Sequence, residues 1–382
     1  MTPDMLLATE ALGALFSAAA TCYLLLALWC VARYRLPMSG AGNATTTPAV
    51  TILKPLCGAE AGLYDCLRSF CAIDHPQAQI LFGVHDTGDP AIEVVARLQR
   101  EFQDRDIALV IDPRLHGSNL KVSNLINMIA LAKHDIVIVS DSDVTIEPDA
   151  VARVLSAFAD ERVGAVTCLY RSAPRRNTAS VFGAMFIDGW FLSSAVVDAT
   201  LNKVRYCYGP LTAVRRDVLA AIGGFEALTD QLADDYTLGQ LVDRLGYRVV
   251  LSDCVVQTAV AETWRSLVSH ELRWGRTVRI CRPSQHLLAV VMWALPLAAL
   301  TLAGPLWLAL PGFGAPLGLR LALHGLTRRR FGVLYAAPIW LVPLRELLCF
   351  AVWAASLAGR DVVWRGRSFR VQRGGVLVPK PA

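Results

Sequence analysis

Short, continuous apolar runs alternate with longer helical patterns through the middle of this chain. The runs are rich in β-branched residues, as expected for strands that are buried on both faces. They cover Val50–Leu53, Ile80–Val84, Ile107–Ile111 and Ile136–Val139. Segments of helical length separate them at Glu60–Ile73, Ala91–Asp104 and Asn119–Lys133. The alternation predicts an α/β domain with a mostly parallel sheet, in which ligands bind beyond the carboxyl ends of the strands.

Near the start of the chain, residues 11–32 form a run of 22 positions without a charge. A helix of that length spans about 33 Å, which is enough to cross a hydrocarbon core of roughly 30 Å. Only acidic charges precede the run, and two arginines follow it. Because basic residues prefer the cytoplasmic side, we expect the next domain to be cytoplasmic. The sequence therefore predicts a short segment over 1–10, a transmembrane anchor over 11–32 and a linker over 33–48.

The last third of the chain is apolar again. Leu287–Leu319 is uncharged and interrupted by prolines, and Phe331–Gly359 is apolar apart from one Arg–Glu pair. The first stretch suits either one crossing with an interfacial turn or a hairpin broken near Gly304. The second suits either a crossing or an interfacial helix. A cytoplasmic basic tail over 360–382 favours the hairpin with an interfacial helix, because two simple crossings would leave arginines outside. The number of crossings within 283–359 stays open.

Composition supports a membrane protein. The chain has 382 residues, of which 54% are hydrophobic and 18% charged. A soluble domain has about 45–50% apolar and about 25% charged residues, so a wholly soluble enzyme is disfavoured. The net charge of +5 is modest. Lysines and arginines do not cluster with aromatic residues, so nucleic acid is not an expected partner.

Carboxylates follow two of the predicted strands. Asp86 follows the second strand, and Asp141 and Asp143 follow the fourth as an Asp-x-Asp motif. Alternating carboxylates suit a hard divalent cation that also binds a diphosphate. The alternative is an Asx turn that caps the next helix. The sequence has neither a P-loop nor a GxGxxG motif, so an ATPase or a Rossmann dehydrogenase has no support.

Two further motifs carry charge. Asp234 and Asp235 begin a predicted helix, where they either stabilise its N-terminus or provide a general base for a hydroxyl. His270, Arg273 and Trp274 stand just before the apolar last third. Arginine offers a permanently charged, bidentate clamp for a diphosphate. The alternative is a juxtamembrane basic helix that is held by anionic lipid.

In their joint order, these motifs resemble the ceramide glucosyltransferase-like family (glycosyltransferase family 21) of membrane-anchored, inverting enzymes with the GT-A fold. The matched pattern is an Asp after the second strand, a DxD, an acidic pair and a (Q/R)xxRW motif before the membrane. It runs from about Thr51 to Arg282, within a predicted catalytic domain over 49–282. The segments that contain Lys121, Asp235 and Trp274 look most like the bacterial hopanoid-associated branch.

The resemblance implies donor-binding roles, residue by residue. Asp86 matches the Asp that contacts the uracil and ribose of a UDP-sugar. Lys121 and Asn124 match a KxxN segment that faces the nucleotide. Asp141 and Asp143 match the DxD that holds the diphosphate through a divalent cation, Mg²⁺ or Mn²⁺.

The same resemblance implies roles at the reacting centre. Asp235 matches the catalytic base, with Asp234 where the family usually has Glu. Arg273 and Trp274 match the pair that binds diphosphate and closes over the donor–acceptor junction. His270 replaces the usual Gln or Arg, and its assignment to substrate binding follows from position alone.

The function implied is transfer of a sugar from a UDP-sugar to a lipid hydroxyl at the bacterial inner membrane, with a cytoplasmic catalytic domain. A base opposite the leaving diphosphate gives a single in-line displacement with inversion. The acceptor would be a hopanoid polyol, with N-acetylglucosamine as the sugar, or a ceramide, with glucose. A processive polysaccharide synthase shares these motifs, but this chain has few membrane segments to build a channel. A non-enzymatic sugar-nucleotide sensor would not need the base.

Overall fold

The computed structural model describes residues 3–34, 48–60, 62–335, 337–364 and 367–380, so most of the predicted linker lies outside the described residues. The chain divides into two compact units, each built from separate segments. The sheet unit comprises the described residues of Arg35–Tyr170, Lys203–Ala259 and Val376–Ala382. The helical unit comprises those of Met1–Tyr34, Arg171–Asn202 and Val260–Gly375.

The β-strands, numbered in chain order, are β1 Val50–Pro55, β2 Ala78–Val84, β3 Asp106–Ile111, β4 Ile136–Ser140, β5 Val144–Thr145, β6 Val163–Pro174, β7 Leu211–Arg215, β8 Arg248–Val260, β9 Asp361–Trp364, β10 Arg367–Val371 and β11 Leu377–Pro379.

The α-helices are α1 Pro3–Arg33, α2 Leu63–Cys71, α3 Ala91–Glu101, α4 Leu120–Ile129, α5 Ala150–Ser156, α6 Thr178–Met185, α7 Leu192–Leu201, α8 Arg216–Ala221, α9 Asp234–Arg244, α10 Trp264–Cys281, α11 Pro283–Leu288, α12 Ala294–Ala298, α13 Leu306–Arg330 and α14 Leu341–Ser356. A π-helical turn over Phe186–Phe191 joins α6 to α7. Short 3₁₀ turns cover Ala157–Ala159, Phe225–Leu228, Ala289–Met292, Ala299–Ala303 and Arg373–Gly375.

An eight-stranded sheet has the order β3-β2-β1-β4-β7-β6-β8-β5. Strands β3, β2, β1 and β4 are parallel, whereas β7 is antiparallel to β4 and β6, and β5 is antiparallel to β8. Val50 pairs with both Ala78 and Ile136, so the first residues of β1, β2 and β4 lie side by side in the sheet. The predicted α/β class and all four predicted strands are confirmed. The carboxyl ends of β2 and β4 therefore meet at one edge of the sheet.

Helix α4 packs unusually close to β2, and a glycine makes this possible. A β-carbon placed at Gly83 would lie 2.3 Å from the Met128 sulfur and 2.4 Å from Oδ1 of Asn124. The helix predicted over Asn119–Lys133 is observed as α4, which covers the shorter range Leu120–Ile129. It begins after Asn119, whose side chain accepts a hydrogen bond from the Val122 N–H.

The helical unit holds the long apolar helices. By length and composition, three described helices could cross a membrane: Ala8–Arg33, Thr178–Leu201 and Leu306–Arg330. The pair Pro283–Met292 and Ala294–Ala303, bent by 61°, would be a fourth if it is one span. The predicted anchor over 11–32 lies inside the first of these helices. The sequence did not predict the second, which lies inside the stretch 49–282.

The prediction for Leu287–Leu319 was incomplete. A break near Gly304 is present, because α13 begins only after Pro305. A second break lies at Trp293, where the two bent helices meet. Helix α13 also continues beyond residue 319 to Arg330, and Arg320 within it is buried against the carboxylate of Glu346.

A buried ion pair satisfies the backbone at the second break. The Arg320 guanidinium donates to Oε2 of Glu346 at 2.7 Å, and the two side chains are 3% and 0% exposed. Glu346 Oε1 accepts from the Leu295 N–H at 2.9 Å, and Arg320 donates to the Met292 carbonyl. A bent helix frees backbone groups that hydrocarbon cannot satisfy, and here one Arg–Glu pair satisfies a group on each side of Trp293.

Candidate active site

The Asp-x-Asp turn lies between β4 and β5 and is fixed by its backbone. The Asp141 N–H donates to the Pro210 carbonyl, and the Ala259 N–H donates to the Asp143 carbonyl. The Thr258 hydroxyl donates to Oδ2 of Asp143 at 2.9 Å. Pairing of the short strand β5 with β8 therefore holds the second aspartate, and the antiparallel half of the sheet sets its orientation.

Lys121 joins the two acidic motifs that the sequence predicts. Its ammonium lies 2.7 Å from Oδ1 of Asp141 and 3.4 Å from Oδ2 of Asp234. Removal from water by itself would lower the pKa of Lys121, but the two carboxylates outweigh this effect and the pKa stands above its ordinary value. One lysine in the first turn of α4 therefore neutralises part of both motifs.

The start of α4 is tied to the acidic pair by its N-cap residue. The Asn119 side-chain amide donates to the Gln231 carbonyl at 2.8 Å and also contacts Asp234 Oδ1 at 3.5 Å. The Ser118 N–H donates to Asp230 Oδ1 at 2.8 Å. Residues 118–121 and 230–235 therefore form one framework, although more than a hundred positions separate them.

Asp235 approaches the Asp-x-Asp motif across a glycine. A β-carbon placed at Gly209 would lie 3.3 Å from Asp235 Oδ2 and 3.6 Å from Asp141 Oδ2. Any larger residue at Gly209 would enter the space that the two carboxylates share. Removal from water raises the pKa of Asp235 to about 7, and the adjacent Asp234 carboxylate adds to this effect. A base with such a pKa is suited to accept a proton near neutral pH.

The pKa of Asp143 is also higher than its ordinary value. Removal from water raises the pKa of Asp143 to about 6, and the Asp141 carboxylate contributes in the same direction. Carboxylates that share a low-dielectric site in this way favour a bound cation.

The donor set fits Mg²⁺ or Mn²⁺ that is bound together with a diphosphate. Asp141 and Asp143 offer hard carboxylate oxygens, as these ions prefer. Within the described residues, no three His, Cys, Asp or Glu side chains form a metal-binding group. The protein would therefore supply one or two carboxylates, and phosphate and water oxygens would complete the shell. Mg²⁺ is usually bound in that way at sites for phosphorylated substrates.

Two residues of the cluster were missed by the sequence interpretation. Lys54, at the end of β1, is fully buried, and its ammonium donates to the Asp141 carbonyl at 2.6 Å. Burial lowers the pKa of Lys54 to about 7. Burial also raises the pKa of Tyr170 on β6, and the Asp235, Asp141 and Asp143 carboxylates raise it further. A lysine at the end of an otherwise apolar strand was the available signal for Lys54, whereas Tyr170 had none.

The predicted nucleotide residues have different surroundings. Asp86 is exposed beyond β2, and its Oδ1 accepts from the Gly88 N–H at 2.9 Å. Asn124 is 2% exposed and donates to the Gly83 carbonyl at 2.7 Å. Asn124 therefore supports the end of β2, the strand that leads to Asp86. A direct contact of either residue with a nucleotide stays a prediction.

His270, Arg273 and Trp274 lie on α10 in the helical unit. His270 Nδ1 lies 2.9 Å from Oε1 of Glu262, and its ring centroid lies 4.1 Å from that of Trp274. Trp274 in turn stacks on Phe186 at 6.0 Å. His270 is therefore held between a carboxylate and an indole on its own unit, and Glu262 is a partner that the sequence did not indicate.

Arg273 faces a ring of the β9–β10 hairpin. Its guanidinium lies 5.8 Å from the Trp364 ring centroid, which is within cation–π range. Of the predicted site residues, the structure brings together Lys121, Asp141, Asp143, Asp234 and Asp235 within the sheet unit. The roles of Arg273, Trp274 and His270 toward a diphosphate stay predictions.

Comparison with known families identifies the family of the chain as a whole. The family described as glycosyl transferase family 21 matches residues 12–377, nearly the whole chain. The chain belongs to glycosyl transferase family 21. Membership confirms the family resemblance that the motifs indicated, whereas the hopanoid-associated branch stays a prediction.

Two ceramide glucosyltransferases are among the relatives of this chain. Ceramide glucosyltransferase 1 of Caenorhabditis elegans is 25% identical over 231 residues, which is 60% of this chain and 49% of that protein. Ceramide glucosyltransferase 3 of the same organism is 23% identical over 358 residues, or 88% and 75% of the two chains. The chain thus spans about half the length of the first relative.

The chain is also similar to a synthase that is named for a diacylglycerol lipid and to a mannosyltransferase of known structure. The β-monoglucosyldiacylglycerol synthase of Trichormus variabilis is 26% identical over 235 residues, covering 60% of this chain and 48% of that one. A mannosyltransferase from Pyrobaculum calidifontis, solved with GDP-Man and Mn²⁺, aligns with a TM-score of 0.57 and 22% identity. That alignment covers 91% of this chain and 99% of the other. It confirms the predicted glycosyltransferase fold of this family 21 member.

Proposed function

We propose that this protein is a membrane-bound hexosyltransferase that moves a sugar from a nucleoside-diphosphate sugar to the hydroxyl of a lipid, with inversion. The observation that carries the proposal is the Lys121 ammonium between Asp141 and Asp234. It joins a motif suited to a diphosphate–cation complex with a motif suited to a base. A sensor that only binds the nucleotide would need the first motif and not the second.

Asp235 is the proposed general base. Its pKa of about 7 leaves a substantial carboxylate fraction at neutral pH while keeping the group basic enough to accept a hydroxyl proton. Gly209 leaves open the space beside its Oδ2, next to Asp141. An acceptor hydroxyl placed there would lose its proton to Asp235 as it attacks the sugar carbon. Such a single displacement inverts the configuration at that carbon.

Asp141 and Asp143 are the proposed ligands of the divalent cation. When bound, the cation would neutralise the negative charge that develops on the leaving diphosphate. Lys121 would move from its carboxylate partners toward a phosphate oxygen, since an ammonium is a common phosphate ligand. Lys54 donates to the Asp141 carbonyl, so its proposed role is to fix the Asp-x-Asp turn. Asp86 and Asn124 are proposed for the nucleoside end, and Arg273, Trp274 and His270 for the diphosphate, on the motif alone.

The acceptor is proposed to be a lipid because apolar helices make up much of the chain. Curated relatives are named for transfer to ceramide and to diacylglycerol. For this protein we propose a ceramide or a hopanoid polyol as acceptor, with glucose or N-acetylglucosamine as the sugar. We further propose that it lies in a bacterial inner membrane with the sheet unit facing the cytoplasm.

The test is a transfer assay on the full chain in lipid nanodiscs with Mg²⁺ or Mn²⁺. Each of UDP-glucose and UDP-N-acetylglucosamine is combined with ceramide, diacylglycerol or a hopanoid polyol. We expect one donor–acceptor pair to yield a lipid carrying a single sugar, seen by mass spectrometry, together with released UDP. The anomeric proton coupling in the product reports inversion. Release of UDP without any glycolipid, or a ladder of sugars, would overturn the proposal.

A further inference from the structure

A second group of buried polar side chains lies among the apolar helices of the helical unit, whereas the acidic cluster belongs to the sheet unit. It centres on the π-helical turn Phe186–Phe191, which interrupts the apolar stretch Thr178–Leu201. Single π-helical turns within α-helices are often found at functional sites. This turn carries Asp188, Gly189 and Trp190, of which the two larger residues are 4% and 1% exposed.

Helix α13 presents a polar face to this turn. Arg320, His324 and Thr327 recur at helical spacing and are 2%, 3% and 0% exposed. The Arg320 guanidinium lies 5.2 Å from the Trp190 ring centroid. A β-carbon placed at Gly189 would lie 3.2 Å from Nδ1 of His324. The polar face of α13 and the π-helical turn are therefore in direct contact.

Some polar groups here are fully paired. The Ser172 N–H donates to Oδ1 of Asp188 at 2.9 Å, and the Ser172 hydroxyl donates to Oδ2 at 2.5 Å. Arg320 pairs with Glu346. The charged members of the group therefore already have partners in the protein, and they do not call for an ionic ligand.

The neutral members of the group differ, because they lack partners among the described residues. Both ring nitrogens of His324, Oγ1 of Thr327 and Nε1 of Trp190 are buried and have no hydrogen-bond partner within the described part of the chain. A threonine in a helix can bond to the carbonyl of the preceding turn, but Thr327 does not. Buried polar atoms in native proteins almost always have a partner. A partner beyond the described residues is therefore expected for this set.

The set defines the chemistry of that partner. A neutral imidazole offers one donor and one acceptor, a threonine hydroxyl offers both, and an indole offers a donor. A hydroxyl or amide group, which both donates and accepts, is complementary to all three. Gly189 has no side chain against the His324 ring, and the position that a β-carbon would take there lies within hydrogen-bond distance of Nδ1, at 3.2 Å.

We propose that His324, Thr327 and Trp190 bind the hydroxyl-bearing polar part of a lipid, and that Gly189 leaves the room for it. This site rests on the proposed function, because the lipid is taken to be the acceptor. It deepens that proposal by assigning acceptor recognition to the π-helical turn and α13, which none of the motifs covers.

The kinetic test compares two variants with a matched control in nanodiscs, using the donor–acceptor pair that is active with the wild type. In His324→Leu and Gly189→Ala we expect the KM for the lipid to rise at least ~5-fold, the scale of one lost hydrogen bond. The KM for the UDP-sugar should stay unchanged. Gly325→Ala is the control, since a β-carbon at that neighbouring position of α13 meets nothing within 4 Å. Unchanged lipid KM values in both variants would overturn the site.

A binding test separates this proposal from the proposed function. A ceramide with a photoreactive diazirine is crosslinked to the full chain in nanodiscs without donor, and the labelled peptides are mapped. We expect label on the π-helical turn and on α13, reduced in His324→Leu and Gly189→Ala, and competed by unlabelled ceramide. Label competed only by an anionic phospholipid, or label elsewhere, would overturn the site. Failure of every transfer reaction despite such labelling would overturn the proposed function alone.

Discussion

Both units of this protein contain buried charged side chains, but their charges are neutralised in different ways. In the helical unit, Arg320 pairs with Glu346 and Arg345 with Glu271, one cation to one anion, at no more than 5% exposure. In the sheet unit, several carboxylates share the charge of Lys121, and the pKa values of Asp143 and Asp235 rise to about 6 and about 7. Matched pairs hold a structure together, whereas an unmatched cluster is prepared to receive a cation or a proton.

The largest effect is expected from breaking a matched pair. Glu346→Ala leaves Arg320 buried without its partner and frees the Leu295 N–H, so we expect unfolding to become easier by about 3–5 kcal/mol. Denaturation in one fixed detergent measures this change. The double variant Arg320→Met with Glu346→Leu should recover most of the loss, because it removes both charges. A single variant as stable as the wild type would contradict a structural role for the pair.

Removing the proposed base comes next. Asp235→Asn keeps the shape but accepts no proton, so we expect transfer to fall by at least ~100-fold while folding and donor binding are retained. Initial rates of glycolipid formation provide the measurement. Asp243→Asn on the same helix is the control, because Asp243 forms ion pairs with Lys203 and Arg205, which are both exposed. Wild-type turnover by Asp235→Asn would remove this residue from the mechanism.

The unmatched cluster should also depend on metal. Asp143→Ala removes a carboxylate from the proposed cation site, and we expect donor affinity to fall at least ~10-fold when Mg²⁺ or Mn²⁺ is present. Without metal the variant and the wild type should bind the UDP-sugar equally. Calorimetric titration with and without EDTA makes the comparison. An equal loss in both conditions would mean that Asp143 has only a structural role.

Acidification should reveal the raised pKa of Asp235. Its carboxylate form predominates above pH 7 and is lost as the pH falls through that value, so activity should decline on the acid side. The decline in kcat/KM should approach about tenfold per pH unit. A pH–rate profile at saturating metal tests this. A flat profile from pH 8 to pH 5 would argue against Asp235 as the base.

The smallest effect is expected at His270. Its ring is already held by Glu262 and Trp274 on its own unit, so His270→Gln should reduce transfer only by about 2- to 5-fold. Glu262→Gln, which removes the partner and keeps the histidine, should have an effect of similar size if His270 acts by positioning Trp274. A loss above about 100-fold in His270→Gln alone would instead indicate direct participation in the reaction.

Much of the sheet unit could be predicted from the chain alone. The apolar runs determined four parallel strands, because a strand buried on both faces must be continuously apolar. The position of Asp141 and Asp143 directly after β4 placed them at the carboxyl edge of the sheet, where such folds bind ligands. The long uncharged run over 11–32 likewise determined a helix long enough to cross a bilayer.

Tertiary structure alone decided how distant residues meet. Lys121 lies between Asp141 and Asp234 because Asn119 ties the start of α4 to the backbone at Gln231, a contact that no local pattern encodes. The break at Trp293 was equally hidden, since its backbone is satisfied by Arg320 and Glu346 from other helices. Local sequence fixes what a segment buries, through periodicity and length. Partners across long separations depend on packing of the whole chain, so their side chains carry no signal until the fold brings them together.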